Sequence, residues 1–259
     1  RRMGPEERSA SARRSRPVPP SHDQHGFDVG LEWGRRGVEA LAGIAEVVVI
    51  VDVLSFSTAV SVALERGATV IPHPIPDESS ASERANALGA TLANPARSGP
   101  GPTLSPSSLA TLRAGETLLL PSPNGATLSV LAERTGAIVL LGCLRNATAV
   151  GAHAAKCGRP VAVIPAGEVW PDGSLRPSVE DLIGAGAVIA AMGAAAISPE
   201  ARAAVAAFHA AMDDLPATLL ASVSGRELAE AGFAADVRLA ATLDATSIVP
   251  VMRDGRFRG

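Results

Sequence analysis

Asp52 closes the apolar run Val47-Val-Val-Ile-Val51, and two hydroxyls, Ser57 and Thr58, follow it shortly after. A β-branched run without polar alternation reads as a strand covered on both faces of a parallel sheet. Asp52 then falls at the carboxyl end, where open α/β sheets bind ligands. Ser57 or Thr58 can cap a helix that runs to about Arg66 and stops at Gly67, and the free N–H groups of a helix start suit an anion. A carboxylate facing a phosphate cradle suggests metal-assisted phosphoryl chemistry. Taken alone, the same residues also fit a turn and a cap that touch no ligand.

More carboxylates follow at turns and helix starts: Glu168, Asp172, Glu180 and Asp181. Each by itself fits a solvated charge or a cap, and Glu180-Asp181 in a first turn sits well against the helix dipole. Brought together, they suit Mg²⁺, a hard ion that takes one or two carboxylates and shares its other positions with water and phosphate. Several other chemistries lack their motifs. Gly184-Ala-Gly186 has Ile189 where a dinucleotide fingerprint needs its third glycine, and it lies in a helix-like run, so these glycines read as close helix packing. No G-x-x-x-x-G-K-[ST] occurs. Asp52 is followed two residues on by Leu54 rather than a second aspartate, and Cys143 has Ala149 where a cysteine-phosphatase loop needs arginine.

The elements that must position these residues repeat a strand, polar turn, helix rhythm. Strands are expected at Val47–Val51, near Val70, at Thr117–Leu120, Ala137–Leu141 and Pro160–Ile164, with a helix-rich stretch from Val179 onward. Val47 to Pro72 reads as one βαβ unit. The rhythm predicts an α/β fold: three layers, doubly wound on a mostly parallel sheet. A faint echo between the segments at Val47 and Pro160 leaves two related α/β lobes open. The Pro-, Ser- and Gly-rich stretch around Asn94 to Ser108 is the expected mobile loop. Residues 1 to 20, rich in Arg, Ser and Pro, read as a disordered leader before a single domain at 21 to 259.

Composition narrows the function. A chain of 259 residues, 47% hydrophobic and 19% charged, has enough apolar surface for a large core. A net charge of −3 without basic blocks gives no reason to expect nucleic acid or an anionic membrane, and 3% aromatics without Tyr argues against base stacking. No apolar run is long enough for a membrane span. Two cysteines, Cys143 and Cys157, make neither a zinc motif nor a disulfide scaffold, so a reducing cytoplasm is expected. A homo-oligomer stays open.

The ordered set Val51-Asp52-Val53-Leu54-Ser-Phe-Ser57-Thr58, Asn124-Gly125, Asn146-Ala147, Ala166-Gly167-Glu168 and Glu180-Asp181-Leu-Ile-Gly-Ala-Gly186 resembles the 2-phosphosulfolactate phosphatase family of coenzyme M biosynthesis. The match runs from about residue 44 to 252 and takes in Ser224-Gly-Arg-Glu-Leu228 and Asp236. The resemblance implies an Mg²⁺-dependent phosphatase acting on a small phosphorylated 2-hydroxy acid. In that reading Asp52, Glu168 and Asn146 are catalytic. Ser57, Thr58, Asn124, Gly125 and Arg176 bind substrate, and Asp52, Glu168, Glu180 and Asp181 hold the metal. Attack by water and a phosphoenzyme both stay open. So do a non-catalytic anion-binding or regulatory protein and, from another class, a nucleotide-binding oxidoreductase. Relatives commonly carry Arg where this chain has Ser55, and Thr-Thr-Asn-Gly-Thr where it has Ser122 to Ala126. Loss of an arginine, a natural partner of phosphate or sulfonate, is expected to loosen substrate choice.

Overall fold

The run Val47–Val51 is a fully buried strand, β2, whose side chains divide between two cores. Val47, Val49 and Val51 enter one core, and Val48 and Ile50 the other. Burial on both faces is why the run shows no polar alternation. Each such side chain taken from water contributes about 1.5–3 kcal/mol. The computed structural model describes residues 22, 24–74, 78–94 and 96–259. The expected leader, residues 1 to 20, lies outside them.

Before β2 come β1 (Val29–Leu31) and α1 (Gly34–Leu41); after it come α2 (Phe56–Glu65), β3 (Thr69–His73), α3 (Glu78–Ala87) and β4 (Thr91–Leu92). The middle of the chain forms β5 (Thr117–Pro121), α4 (Gly125–Glu133), β6 (Ile138–Gly142), α5 (Ala147–Cys157) and β7 (Val161–Pro165). A small ribbon follows, β8 (Glu168–Val169) with β9 (Leu175–Arg176), then α6 (Val179–Met192) and α7 (Pro199–Ala211). Next are α8 (Leu215–Ala221), α9 (Val223–Glu230) and α10 (Ala234–Ala240), and the chain closes with β10 (Val251–Arg253) and β11 (Arg256–Arg258). Among the described residues, no helix is long and apolar enough to cross a membrane.

Nine strands form one sheet in the order β1-β7-β2-β6-β10-β11-β3-β5-β4. The block β1-β7-β2-β6 is parallel throughout, and so is β3-β5-β4. Between them lies the C-terminal hairpin, with β10 antiparallel to β6 and β11 antiparallel to β3. Three reversals in succession set the two parallel blocks in opposite directions. The expected mostly parallel α/β sheet is present, but Val47 to Pro72 is not a βαβ unit, because β3 is neither beside β2 nor parallel to it. The last strands of the chain take the edge of β6 that a simple crossover would have filled. The echo between the segments at Val47 and Pro160 appears as two adjacent parallel strands, β2 and β7.

Helices cover both faces of the β2 block, giving three layers. Residues of α5, α6 and α7 pack with Val47, Val49 and Val51, whereas α1, α2 and α4 pack with Val48 and Ile50. Gly184 and Gly186 are packing glycines, as their place in a helical run suggested. A Cβ on Gly184 would lie 2.6 Å from Val53 Cγ2, and one on Gly186 would collide with the Ala204 carbonyl of α7. Gly186→Ala is therefore expected to cost about 1–3 kcal/mol through overpacking, despite its better helix propensity. Denaturant unfolding checks this, and unchanged stability would show that α6 and α7 can part to admit a methyl group.

Candidate active site

Asp52 follows β2 and lies almost fully buried between two helix starts. Its Oδ1 accepts the Phe56 N–H at 3.0 Å and its Oδ2 the Gly125 N–H at 2.9 Å, the first residues of α2 and α4. Two positive dipole ends thus converge on one carboxylate. Gly125 permits the approach, since a Cβ there would stand 2.7 Å from Asp52 Oδ2 and 2.5 Å from Phe56 Cδ1. Asn124 and Gly125 come after β5, which has four strands between it and β2 in the sheet, so helix α4 bridges the two parallel blocks at this point.

Asp181 plays the matching part on α6. It does not cap its own helix; Oδ1 accepts Val53 N–H at 2.7 Å and Oδ2 accepts Gly167 N–H at 2.9 Å, tying the exits of β2 and β7 to α6. Burial pushes Asp181 well above the ordinary aspartate range, reinforced by the negative charges of Asp52 and Glu180. Burial raises Asp52 too, against the opposing pull of the Phe56 and Gly125 N–H groups and of Arg97.

Glu180, in the first turn of α6, is buried and accepts no hydrogen bond from the described residues. Glu168, at the start of the small ribbon, takes the Asn124 amide on Oε2 at 2.9 Å. Its carboxyl is pushed up to about 7 by burial first and by the Asp52 charge second. The structure therefore brings Asp52, Glu168, Glu180, Asp181, Asn124 and Gly125 to one end of the β2 block.

Glu168 faces a cavity of about 530 Å³ whose wall includes Leu54, Arg97, Trp170, Arg176, Ser224 and Glu227. Arg176 donates to Ser224 Oγ at 3.0 Å and lies 5.7 Å from the Trp170 ring centroid, an orientation suited to meeting a second anionic group. Arg97 donates to Ser55 Oγ at 3.0 Å. Burial pulls its guanidinium below the usual arginine range, with Asp236, Asp52 and Glu168 acting in the opposite sense; arginine nonetheless stays charged.

Three expected site residues face elsewhere. Ser57 is fully buried, its Oγ accepting from Asp52 N–H at 3.1 Å and donating to the Ile50 carbonyl at 3.4 Å. Thr58 Oγ1 donates to the Val53 carbonyl at 2.8 Å, also without exposure. These hydroxyls brace the Asp52 turn from beneath instead of cradling phosphate. Asn146 is likewise buried and spent on backbone: its Oδ1 accepts Cys143 N–H at 2.9 Å, and its Nδ2 donates to the Leu141 and Ile248 carbonyls at 3.3 and 3.2 Å. It ties β6 to the segment before β10. Asp172 is exposed and closes the turn of the ribbon through Ser174.

The four-carboxylate metal set is not preformed. Among the described residues, no three His, Cys, Asp or Glu side chains are arranged to hold one ion. Both oxygens of Asp181 are already bound to backbone. The donor chemistry still fits a hard dication bound by fewer carboxylates: Glu180 accepts no hydrogen bond from the described residues, and each Asp52 oxygen accepts only one from them. Arg97 escaped the sequence reading because it lies in the loop expected to be mobile. Its only signal was being a single arginine in a long polar loop. Ser224 and Asp236 stood within the matched motifs but carried no assigned role.

Comparison with known proteins decides the family. The family model described as 2-phosphosulpholactate phosphatase matches residues 37–255. The chain belongs to the 2-phosphosulfolactate phosphatase family. A member from Carboxydothermus hydrogenoformans, described as a probable 2-phosphosulfolactate phosphatase, is 30% identical over 218 residues, covering 81% of this chain and 88% of the relative. Membership in the 2-phosphosulfolactate phosphatase family makes the chain a phosphoric monoester hydrolase, an assignment that suits an acidic cleft rimmed by two arginines.

The raised carboxyl of Glu168 has a consequence for stability. Its folded value near 7 lies above the ordinary carboxyl value, so its contribution is fully present below about pH 4.3, the unfolded value, and is lost as pH rises through 7. Between pH 5 and 8 the wild-type melting temperature should therefore fall more than that of Glu168→Gln, and the variant should be the more stable at pH 8. Parallel melting curves across that range would show that Glu168 is not held in its acid form.

Proposed function

We propose that this chain hydrolyses the phosphate ester of 2-phosphosulfolactate with Mg²⁺, a step of the coenzyme M biosynthesis type. The observation carrying this reading is the cavity in which Glu168 faces Arg97 and Arg176, an acid between two cations suited to a small substrate with anionic groups at both ends. Arg97 donates to the phosphoryl oxygens. Arg176, oriented by Ser224 and Trp170, takes the carboxylate or sulfonate at the far end.

The departing group is an aliphatic alkoxide, a poor leaving group unless it receives a proton. Glu168, retaining its proton to about pH 7 and fixed by Asn124, supplies that proton. Glu180 and Asp52 are the carboxylates suited to holding Mg²⁺. When bound, the ion neutralises phosphoryl charge and lowers the pKa of coordinated water. Asp181 keeps the exits of β2 and β7 together, so that Asp52 and Glu168 stay opposed.

Turnover of 2-phosphosulfolactate should require Mg²⁺, stop with chelator and return on adding metal. Glu180→Gln should fold normally and lose at least about a hundredfold in kcat/KM at fixed Mg²⁺, the scale of removing a principal electrostatic group. Undiminished turnover in chelator would overturn the metal part of the reading. Substrate choice has a separate expectation. Arg97 brings a guanidinium to Ser55, where relatives carry arginine, but from a different element. Phospholactate or phosphoglycolate is therefore expected to rival 2-phosphosulfolactate in kcat/KM within about tenfold, the size of one altered contact. Side-by-side kinetics check this, and a sulfonate preference above about a thousandfold would exclude it.

A further inference from the structure

The β8-β9 ribbon pairs Glu168 with Arg176 and Val169 with Leu175, and successive residues of a strand face opposite sides. Glu168 and Arg176 line the cavity described above. Leu175 lines a second one, of about 460 Å³. Of the residues on the two walls only Val169 is common to both, so the ribbon forms the partition between them.

The charge on the second wall is of one sign. Arg35 and Arg36 line it, and no carboxylate does. Both guanidiniums reach Glu39, Arg35 through Nε at 3.1 Å and Arg36 through Nη1 at 2.8 Å, so a single carboxylate serves two cations. Their other N–H groups have no partner among the described residues. The two arginines also stand where the helix dipole disfavours them, in a first turn of α1 that contains no acidic residue and gains no side-chain cap from Trp33. An anion in the cavity would match the excess charge. Asn124 adds a neutral donor to the same wall: one hydrogen of its amide goes to Glu168 Oε2 at 2.9 Å, and the other is left over.

Much of the remaining wall is apolar, with Trp33, Leu128, Val169 and Leu175 prominent. Val169 and Leu175 are among the exposed large apolar side chains of the chain. Leu175 is seated against the start of α1, since a Cβ on Gly34 would stand 3.2 Å from its Cδ1. An inorganic ion would leave this surface wet, whereas the body of an organic ligand would cover it. The volume lies within the roughly 300–1,000 Å³ usual for small-molecule sites.

We propose that this cavity is a second binding site, for a small organic acid whose anionic head meets Arg35 and Arg36 and whose apolar body rests on Trp33, Leu128 and Leu175. The assignment goes beyond the phosphatase reading and does not depend on it.

The two tryptophans of the chain, Trp33 and Trp170, lie one in each cavity. In the full chain carrying Trp170→Phe, emission therefore reports on the second cavity alone. Titration with 1-butanesulfonate at constant ionic strength should change that emission saturably, and uncharged 1-butanol should not. Replacing both arginines, Arg35→Ala with Arg36→Ala, should weaken the sulfonate by about ten- to a hundredfold, the effect of losing a charged hydrogen-bond partner. Both side chains are largely exposed, so the fold should survive. The glutamine pair, which keeps the length and loses the charge, should weaken it as much. Arg176→Ala, which strips a cation from the other cavity, should leave the affinity within about twofold, as expected of an independent site. Calorimetry on the chain with both tryptophans gives the same comparisons. No saturable response, equal binding of butanol, or an affinity lost in Arg176→Ala and kept in the Arg35 and Arg36 variants would each overturn the proposal.

Discussion

Two aspartates hold the working end of this fold together, and the oxygens that do so also fill it with negative charge. Asp52 joins the exit of β2 to the starts of α2 and α4. Asp181 joins the exits of β2 and β7 to α6. Neither could be replaced by an apolar residue without orphaning buried N–H groups, each a cost of about 1–3 kcal/mol. Four carboxylates consequently share a small volume, with Arg97 and Arg176 as the cations on the cavity wall. Burial, and after it the Asp52 charge, pushes the Glu168 carboxyl up to about 7. One electrostatic constraint thus serves both architecture and chemistry.

The surrounding elements follow from that constraint. The glycine at 125 lets a helix start touch Asp52, and the buried hydroxyls of Ser57 and Thr58 hold the turn that presents it. The small ribbon β8-β9 pairs Glu168 directly with Arg176, so acid and cation are set side by side by a single pair of strands. The helices that supply Ser224 and Asp236 come late in the chain, and they close the cavity and its supporting shell.

The sequence made β2 legible because burial on both faces leaves an unbroken β-branched run, and it made Asp52 legible because a strand end is where such a run must stop. Asn124, Gly125, Glu168 and Arg176 were legible through family motifs rather than through spacing. The roles of Ser57, Thr58 and Asn146 were not, since a buried hydroxyl or amide bound to backbone has the same sequence signature as one facing a ligand. The reversal of the β3-β5-β4 block was hidden as well. It depends on the last eight or so residues entering the sheet between strands made long before, a long-range pairing that no local pattern encodes. Arg97 was obscured by a loop whose composition suggests mobility, whereas Asp236 and the Asn94–Thr103 bridge fix its base.

The most direct measurement is a count of protons released when Mg²⁺ binds, by calorimetry near pH 7 in two buffers of different ionisation enthalpy. A cation entering a cluster of carboxyls raised by burial and by one another's charge is expected to displace protons from them. A net release of protons, diminished in Glu168→Gln, is the expected result. Binding with no change in protonation, or no binding at millimolar Mg²⁺, would contradict the claim that crowded buried carboxylates define this site.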